Sequence, residues 1–314
     1  MKLIRGEKGI ALVMVMWMIV MLVVLASEMV AAVKGDTASV VNFKEDRETY
    51  YLALAGVQLA MSEILRESDF NYYAEGEGMV FAKLDEVGAE YNPAVREEIP
   101  LGGGVVTYTI SDENGKVNLN SLAGDRDGMI RLLQSIFADG DVNVAEVVDS
   151  IADWVDADDL VRPAGAESDY YNSLPDPYDA KNGPFDTVDE LRKVKGISDE
   201  IYLTLAEKVT AYPIGGINVN TASPEALLAS GREEEDVQNI LGIRQADGYA
   251  DTGGRSNIFR VESYGSFAGS RLKHTILAVL ERSDAGSIRI LEWNDDFYGE
   301  PDEPVEPDEM EFEE

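Results

Sequence analysis

The stretch KGIALVMVMWMIVMLVVLASE (Lys8–Glu28) places an unbroken run of seventeen apolar residues, Ile10–Ala26, directly after a lysine and a glycine. The apolar character continues to Val33, with only one serine and one glutamate interrupting it. A membrane-spanning helix needs about 20 predominantly apolar residues. The apolar part of a cleaved signal peptide is shorter, about 7–15 residues. The run therefore favours a membrane helix, although Val24–Ser27 also resembles a signal-peptide cleavage site.

The residues on both sides of this run indicate its orientation and its continuation. Lys2, Arg5 and Lys8 precede it, and positive charge before an apolar segment holds that end in the cytoplasm. After it, no proline occurs before Pro93. An apolar stripe with steps of three and four continues the helical pattern: Tyr50, Leu54, Val57, Met61 and Leu65. The sequence predicts one helix from Ile10 to about Arg66, with an apolar first half and an amphipathic second half.

Composition narrows the function classes. The 314 residues carry a net charge of −34 and contain no cysteine, which excludes disulfides, thiolate catalysis and cysteine-bound metals. A strongly acidic surface repels nucleic acid and attracts divalent cations. The last fifteen residues hold nine acids and three prolines. We expect residues 294–314 to form a disordered acidic tail.

The body of the chain combines strands with helices. Residues 105–110 alternate as a strand does, and Ile258–Tyr264 with Arg271–Arg282 predict a hairpin, followed by a strand at Ser287–Trp293. Between them lies a helical region with a capping box at Thr187 and Glu190 and an N-cap at Ser223 before Pro224. These patterns predict an α+β fold, in which a long N-terminal helix packs on a small antiparallel sheet that carries a large inserted α-helical domain.

A dense acidic cluster begins within the segment VAEVVDSIADWVDADD (residues 144–159), whose apolar residues have helical spacing, and continues beyond it. It contains Asp153, Asp156, Asp158, Glu167 and Asp169. Counted from Asp156, the acids at positions three and twelve match an EF-hand, but Leu160 and Val161 stand where that loop needs an oxygen ligand and a glycine. The cluster is either a calcium site of another geometry or a solvated acidic loop.

The sequence gives little support for zinc binding, catalysis or nucleic-acid binding. The single histidine, His274, has no second histidine or cysteine with which to bind zinc, and no phosphate-binding or nucleophile motif occurs. Two segments resemble helix-hairpin-helix elements of DNA-binding proteins. However, Ser198 replaces the second glycine of the first hairpin, and four acids follow the second copy. We expect neither catalysis nor nucleic-acid binding.

The N-terminus resembles that of type IV pilin-like prepilins, which have a short basic leader that ends in glycine before an apolar helix. The resemblance implies cleavage between Gly9 and Ile10 by a prepilin peptidase, followed by N-methylation of Ile10. Most members carry glutamate as the fifth residue of the mature chain, but here that residue is Met14. A carboxylate buried in a helix bundle needs a cation, which the family takes from the neighbouring subunit's amine. A subunit without the carboxylate suits the tip of a filament, where no subunit lies above it.

Six motifs extend the resemblance to the K-type minor pseudopilins of type II secretion, over nearly the whole chain to about Arg282. The motifs are GKVNLN (Gly115–Asn120), DWVDADD (Asp153–Asp159), GAESDYY (Gly165–Tyr171), PYDAKNGPF (Pro177–Phe185), ELRKVKGI (Glu190–Ile197) and INVNTASPEAL (Ile217–Leu227). The family's α-domain binds calcium near its D-x-D…GAE segment. This implies structural Ca²⁺ at Asp156, Asp158, Glu167 and Asp169, with Asp153 as a less certain ligand.

The resemblance also implies an organisation and a set of partners. The expected parts are a leader (residues 1–9), a transmembrane and assembly helix (10–33), a pilin-like domain (34–118 and 251–293), the inserted α-domain (119–250) and the tail (294–314). The implied partners are the I- and J-type minor pseudopilins, the major pseudopilin, the prepilin peptidase and the inner membrane, with the bulk of the chain in the periplasm. The alternatives are a minor pilin of a type IV pilus, or a membrane-anchored periplasmic calcium-binding interaction protein.

Overall fold

A computed structural model describes residues 7–66, 68–74, 78–84, 89–137, 140, 142–252, 254–267, 273–283 and 285–295. The first six residues of the leader and the tail from residue 296 lie outside the described residues. The helices and strands follow in this order: α1 (Glu7–Leu65), β1 (Phe70–Ala74), β2 (Gly78–Leu84), β3 (Ala89–Pro93), β4 (Val95–Leu101), β5 (Gly104–Asp112), β6 (Val117–Asn118), α2 (Leu119–Ala123), α3 (Arg126–Ile136), α4 (Val144–Val155), α5 (Ser168–Tyr171), α6 (Asp199–Ala206), β7 (Val209–Thr210), α7 (Pro224–Ala229), α8 (Glu234–Asp247), β8 (Ile258–Ser266), β9 (Lys273–Arg282) and β10 (Ile288–Asn294).

Helix α1 is continuous over 59 residues, as the sequence predicts. Its second half packs on β5, β8 and β9. The buried face is rotated from the predicted stripe: Leu65 is exposed, and the residues that enter the core are Leu52, Ala53, Val57, Ala60 and Ile64. Of the predicted stripe, Val57 is in the core, and Tyr50, Leu54 and Met61 are partly buried against it. Small residues, Gly56 among them, bring the helix backbone close to the sheet.

The sheet under α1 has five antiparallel strands in the order β10-β9-β8-β5-β4. The predicted strands at residues 105–110, 258–264, 271–282 and 287–293 correspond to β5, β8, β9 and β10. A second antiparallel sheet, β1-β2-β3, was not anticipated. The predicted α+β class, with its long helix and antiparallel sheet, is confirmed.

The helices α2 to α8 lie in the chain between β5 and β8, two neighbouring strands of the same sheet. They surround a core of their own, centred on Leu132, Leu133, Ile151, Tyr171 and Leu191. The short strands β6 and β7 pair in parallel. Two predicted caps are confirmed: the backbone N of Thr187 donates to Glu190 Oε1 at 3.2 Å, and Ser223 Oγ accepts from Ala226 N at 3.2 Å.

Candidate functional site

The first half of α1 presents apolar side chains to its surroundings on every side. From Leu12 to Val33, every large apolar side chain is about half exposed or more. One window of this helix, with a mean hydropathy of 2.4, is long and apolar enough to cross a membrane. Met14 lies on this surface and is exposed. Gly9 and Ile10 belong to the backbone of α1, and their side chains lie outside the described residues.

The predicted acidic cluster forms where α4 ends. Asp149 and Asp153 lie one turn apart on the inner face of α4, and both are buried. Asp149 pairs with Arg126, and its Oδ2 accepts from Ala164 N at 3.1 Å. The loop that follows α4 therefore folds back over the helix end. A β-carbon on Gly165 would meet the Asp149 carbonyl oxygen at 3.0 Å and overlap the carboxylate of Asp153, so only glycine allows this close approach.

Arg162 links two of the predicted ligands. Its Nη1 donates to Asp153 Oδ1 at 2.6 Å and also to Asp156 Oδ2, and its backbone N donates to Asp153 Oδ2 at 3.1 Å. Asp153 is fully buried, whereas 39% of the Arg162 side chain is exposed. No sequence pattern points to Arg162 or Asp149. Their spacing from the acids follows no metal-binding motif, so only the folded geometry identifies them.

Glu167 has no such partner. It is 2% exposed, and neither side-chain oxygen forms a hydrogen bond within the described structure. Burial raises the pKa of Glu167 to about 7, and the charges of Asp153, Asp156, Asp159 and Asp158 contribute to this rise. These carboxylates therefore share one electrostatic environment, and Glu167 is their uncompensated member.

The remaining predicted ligands, Asp158 and Asp169, are exposed. Asp158 is exposed and accepts from Leu160 N at 2.9 Å, which shapes the loop. Asp169 is exposed on α5. Asn182, which the sequence analysis did not consider as a ligand, donates to Asp159 Oδ1 at 3.2 Å. The Asn182 side-chain oxygen is buried and accepts no hydrogen bond within the described structure, and the same holds for Asp156 Oδ1.

The chemistry of these groups fits a hard cation, but their arrangement is not that of a closed site. Carboxylate and amide oxygens are the ligands that Ca²⁺ takes, and buried oxygens without hydrogen bonds are rare in proteins. In the part of the chain that the structure describes, however, no three Asp, Glu or His side chains form a metal-ligand group. The guanidinium of Arg162 lies between Asp153 and Asp156 instead.

A second buried carboxylate, Asp112, joins the helical region to the sheet. Its Oδ2 accepts from Asn71 (3.1 Å), Asn218 (3.0 Å), Thr221 (2.5 Å) and Ser256 (2.6 Å). Burial raises its pKa, and the hydrogen bonds oppose that shift. These partners lie 41 to 144 residues from Asp112 in the chain, so no local pattern predicts this junction.

Glu113, the residue after Asp112, forms a second buried contact at this junction. Its partner is Arg260. Arg260 Nε donates to Glu113 Oε1 at 2.7 Å, and Lys116 Nζ is 3.1 Å from the same oxygen. Burial alone would raise the pKa of Glu113, but these two cations lower it below its usual value. The ion pair is therefore part of what holds the helical region on the sheet.

The hairpin that resembles a DNA-binding element serves internal packing. Gly196 adopts the left-handed conformation (φ 84°) that the hairpin requires. Lys195 Nζ, however, bonds the carbonyls of Ala164 and Gly165 at 3.3 and 3.2 Å and pairs with Glu146. The hairpin thus supports the back of the acidic loop. His274 lies against the ring of Tyr50 at 5.0 Å, beside α1.

Comparison with known proteins gives consistent results. The sequence profile of the family described as type II secretion system (T2SS), protein K, matches residues 115–214. Type II secretion system protein K of Aeromonas hydrophila is 26% identical, over 79% of this chain and 78% of its own. The Pseudomonas aeruginosa protein K is 26% identical, over 91% and 92%. A chain in the crystal structure of the GspK-GspI-GspJ complex of enterotoxigenic Escherichia coli shares the fold, with a TM-score of 0.60 and 20% identity over 82% of this chain and 98% of that chain.

Proposed function

We propose that this chain, which is similar to the protein K components of type II secretion systems, is a minor pseudopilin that caps the tip of the periplasmic pseudopilus and helps to initiate its assembly. The role is structural. The relatives are named as components of a secretion system, and we propose no catalytic step for this subunit.

One observation carries the proposal: a single uninterrupted helix is predominantly apolar in its first half and packed on a sheet in its second half. The first half exposes its side chains on all sides, whereas the second half contributes Ala53, Val57 and Ala60 to the core. Such a helix fixes a folded body at a set distance from a membrane or a helix bundle. It can exchange lipid for neighbouring helices at little hydrophobic cost, because lipid tails are as apolar as the side chains.

We place the apolar half, residues 10–33, in the inner membrane before assembly, with the folded body in the periplasm. Lys2, Arg5 and Lys8 favour this orientation. A prepilin peptidase then removes Met1–Gly9, and Ile10 becomes the N-methylated first residue. The I- and J-type minor pseudopilins and the major pseudopilin are the proposed partners. The solved chain with this fold comes from a GspK-GspI-GspJ complex, which is consistent with this choice.

Two features support the tip position. The helical region between β5 and β8 is built on its own core, separate from the core between α1 and the sheet. A thin filament leaves no room for such a body between stacked subunits. Met14 also supplies no carboxylate for the amine of a subunit above.

We propose that the acidic loop binds structural Ca²⁺ through Asp156, Asp158, Glu167 and Asp169, with Asp153 as a further ligand. The orphaned oxygens of Glu167 and Asp156 support this assignment. The cation supplies positive charge to a loop that has few apolar contacts of its own, and binding therefore stabilises the folded loop.

The N-terminus of the mature protein tests the proposal. Mass spectrometry of the chain from membranes of a host with a type II secretion system should show an N-methylated Ile10. A start at Ser27 would identify a cleaved signal peptide, and a start at Met1 an unprocessed anchor; either result would contradict the mechanism. Processing at Ile10 is shared with minor pilins of type IV pili. Co-purification with I- and J-type pseudopilins rather than pilus subunits separates these two functions.

A further inference from the structure

Arg162 occupies the position at which a cation would bridge the buried acids. Its guanidinium contacts one oxygen of Asp153 and one of Asp156, and its backbone N binds the second Asp153 oxygen at 3.1 Å. Asp153 is fully buried, so without a cation it would be a buried unpaired charge. The arginine neutralises part of this cluster from within the chain.

The neutralisation is incomplete. Both oxygens of Glu167 and one oxygen of Asp156 are buried and accept no hydrogen bond within the described residues. One guanidinium contacts two carboxylates and leaves Glu167 without a hydrogen-bond donor, whereas Ca²⁺ takes about 6–8 oxygen ligands.

From this geometry we propose that Arg162 is the chain's own competitor for the cation: it holds Asp153 and Asp156 when metal is absent, and Ca²⁺ binds by displacing its guanidinium. The inference rests on the calcium role proposed above. Displacement is sterically open, because 39% of the Arg162 side chain is already exposed and its long stem can carry the head into solvent.

Competition of this kind weakens binding by a definable amount. A ligand that needs a minor conformation binds with an affinity reduced by the fraction of molecules in that conformation. Arg162 therefore sets the calcium concentration at which the loop fills. It also favours divalent over monovalent ions, because a single positive charge gains nothing by replacing another.

The test is calcium titration of the full-length chain in detergent micelles, by isothermal calorimetry with CaCl₂ as the only ligand. We expect Arg162→Gln to bind Ca²⁺ at least about fivefold tighter than the unmodified chain, because the competing charge is gone. The matched control is Arg192→Gln, which removes an equal charge from an exposed pair with Asp199 in the same helical region. Its affinity should stay within about twofold of the unmodified chain, since exposed pairs contribute little.

Arg162→Lys is a second variant that keeps the test valid if Arg162→Gln does not fold without metal. Lysine keeps the charge but lacks the planar fork that contacts two carboxylates at once, so its calcium affinity should fall between those of the arginine and glutamine forms. Each variant is also melted in calcium and in EGTA. The difference between the two melting temperatures should be larger for Arg162→Gln than for the unmodified chain.

The possible results distinguish the competitor role of Arg162 from the calcium role on which it depends. If the unmodified chain binds Ca²⁺ and Arg162→Gln binds no more tightly, the competitor role is wrong and the calcium site stands. If neither the unmodified chain nor any variant binds, the calcium role fails and the competitor role fails with it.

Discussion

At the residue scale, the ion pair between Glu113 and Arg260 is the sharpest case of charge inside this fold. The Glu113 carboxylate is fully buried. We expect Arg260→Gln to lower the free energy of unfolding by about 3 kcal/mol, at the lower end of the usual cost of breaking a buried pair, because Lys116 still contacts Glu113. Chemical denaturation of the detergent-solubilised chain measures the change.

The same substitution has a defined pH dependence. In the unmodified chain the pKa of Glu113 is lowered, so this pair stabilises the fold above pH 4.5 and loses its effect as pH falls. Without Arg260, one of the two cations that offset the burial of Glu113 is lost, so the pKa of Glu113 rises relative to the unmodified chain. The destabilisation should therefore grow as the pH rises from about 4 to 7. Arg289→Gln removes an exposed pair with Glu281 and should change stability by less than about 1 kcal/mol at both pH values; a loss independent of pH at Arg260 would contradict the argument.

Substitution of Glu167 should have opposite effects on the melting temperature with and without metal. Its two oxygens are buried and accept no hydrogen bond within the described structure, which costs stability in the metal-free chain. Glu167→Gln removes the charge, so the melting temperature in EGTA should rise. The same change removes a ligand, so the rise in melting temperature on adding Ca²⁺ should largely disappear.

Asp169→Asn is the control for Glu167→Gln. Asp169 is exposed, and its substitution should leave the melting temperature in EGTA unchanged. A Glu167→Gln variant that melts lower in EGTA would mean that Glu167 has a partner in solution, and the orphaned-carboxylate argument would be wrong.

At the element scale, the close contact between α1 and the sheet depends on Gly56. A β-carbon there would lie 2.7 Å from Val106 Cγ1 and overlap Ser263 Oγ, which itself donates to the Ala53 carbonyl oxygen at 2.8 Å. Gly56→Ala should destabilise the fold by about 1–3 kcal/mol through overpacking. Thermal or denaturant unfolding of the body measures this loss.

Gly35 lies on the same helix, and a β-carbon added there would meet no atom of the described structure within 4 Å. Gly35→Ala should be neutral, or should stabilise the helix by up to about 1 kcal/mol. Equal effects at Gly35 and Gly56 would show that helix propensity rather than close packing governs α1. This pair of variants thus separates the two forces on one helix.

The elements that sequence predicted well are those whose signals are local. Helix α1 follows from an apolar run without breakers, and β5, β8, β9 and β10 follow from alternation and turns. The sheet β1-β2-β3 escaped prediction because Phe70–Pro93 mixes aromatic, acidic and glycine residues without clear alternation. The Asp112 junction escaped because its partners are distant in the chain. In the acidic loop, the sequence identified the carboxylates, but only the fold revealed Arg162 beside them.

At the scale of the whole molecule, the chain has two chemically different surfaces, one apolar and one acidic. An apolar helix that exposes its side chains on all sides is joined to a body that carries most of the net charge of −34. The exposed apolar side chains of this helix are stable only in contact with lipid or with other apolar helices. The acidic body stays soluble and repels copies of itself. A subunit with these properties suits one place at the end of an assembly better than repeated stacking within it.

Met14 tests this view of the whole assembly. If no subunit lies above this one, Met14→Glu should be tolerated, since position 14 is near the cytoplasmic end of the apolar run, where a carboxylate reaches the interface. Co-purification of the I- and J-type pseudopilins with the variant should match that of the unmodified chain. Met21→Glu places the same charge near the middle of residues 10–33 and should reduce membrane insertion. If Met14→Glu still reaches the membrane but loses its partners, the tip position inferred from the missing carboxylate is wrong, because the neighbouring helices would then tolerate no charge at that level.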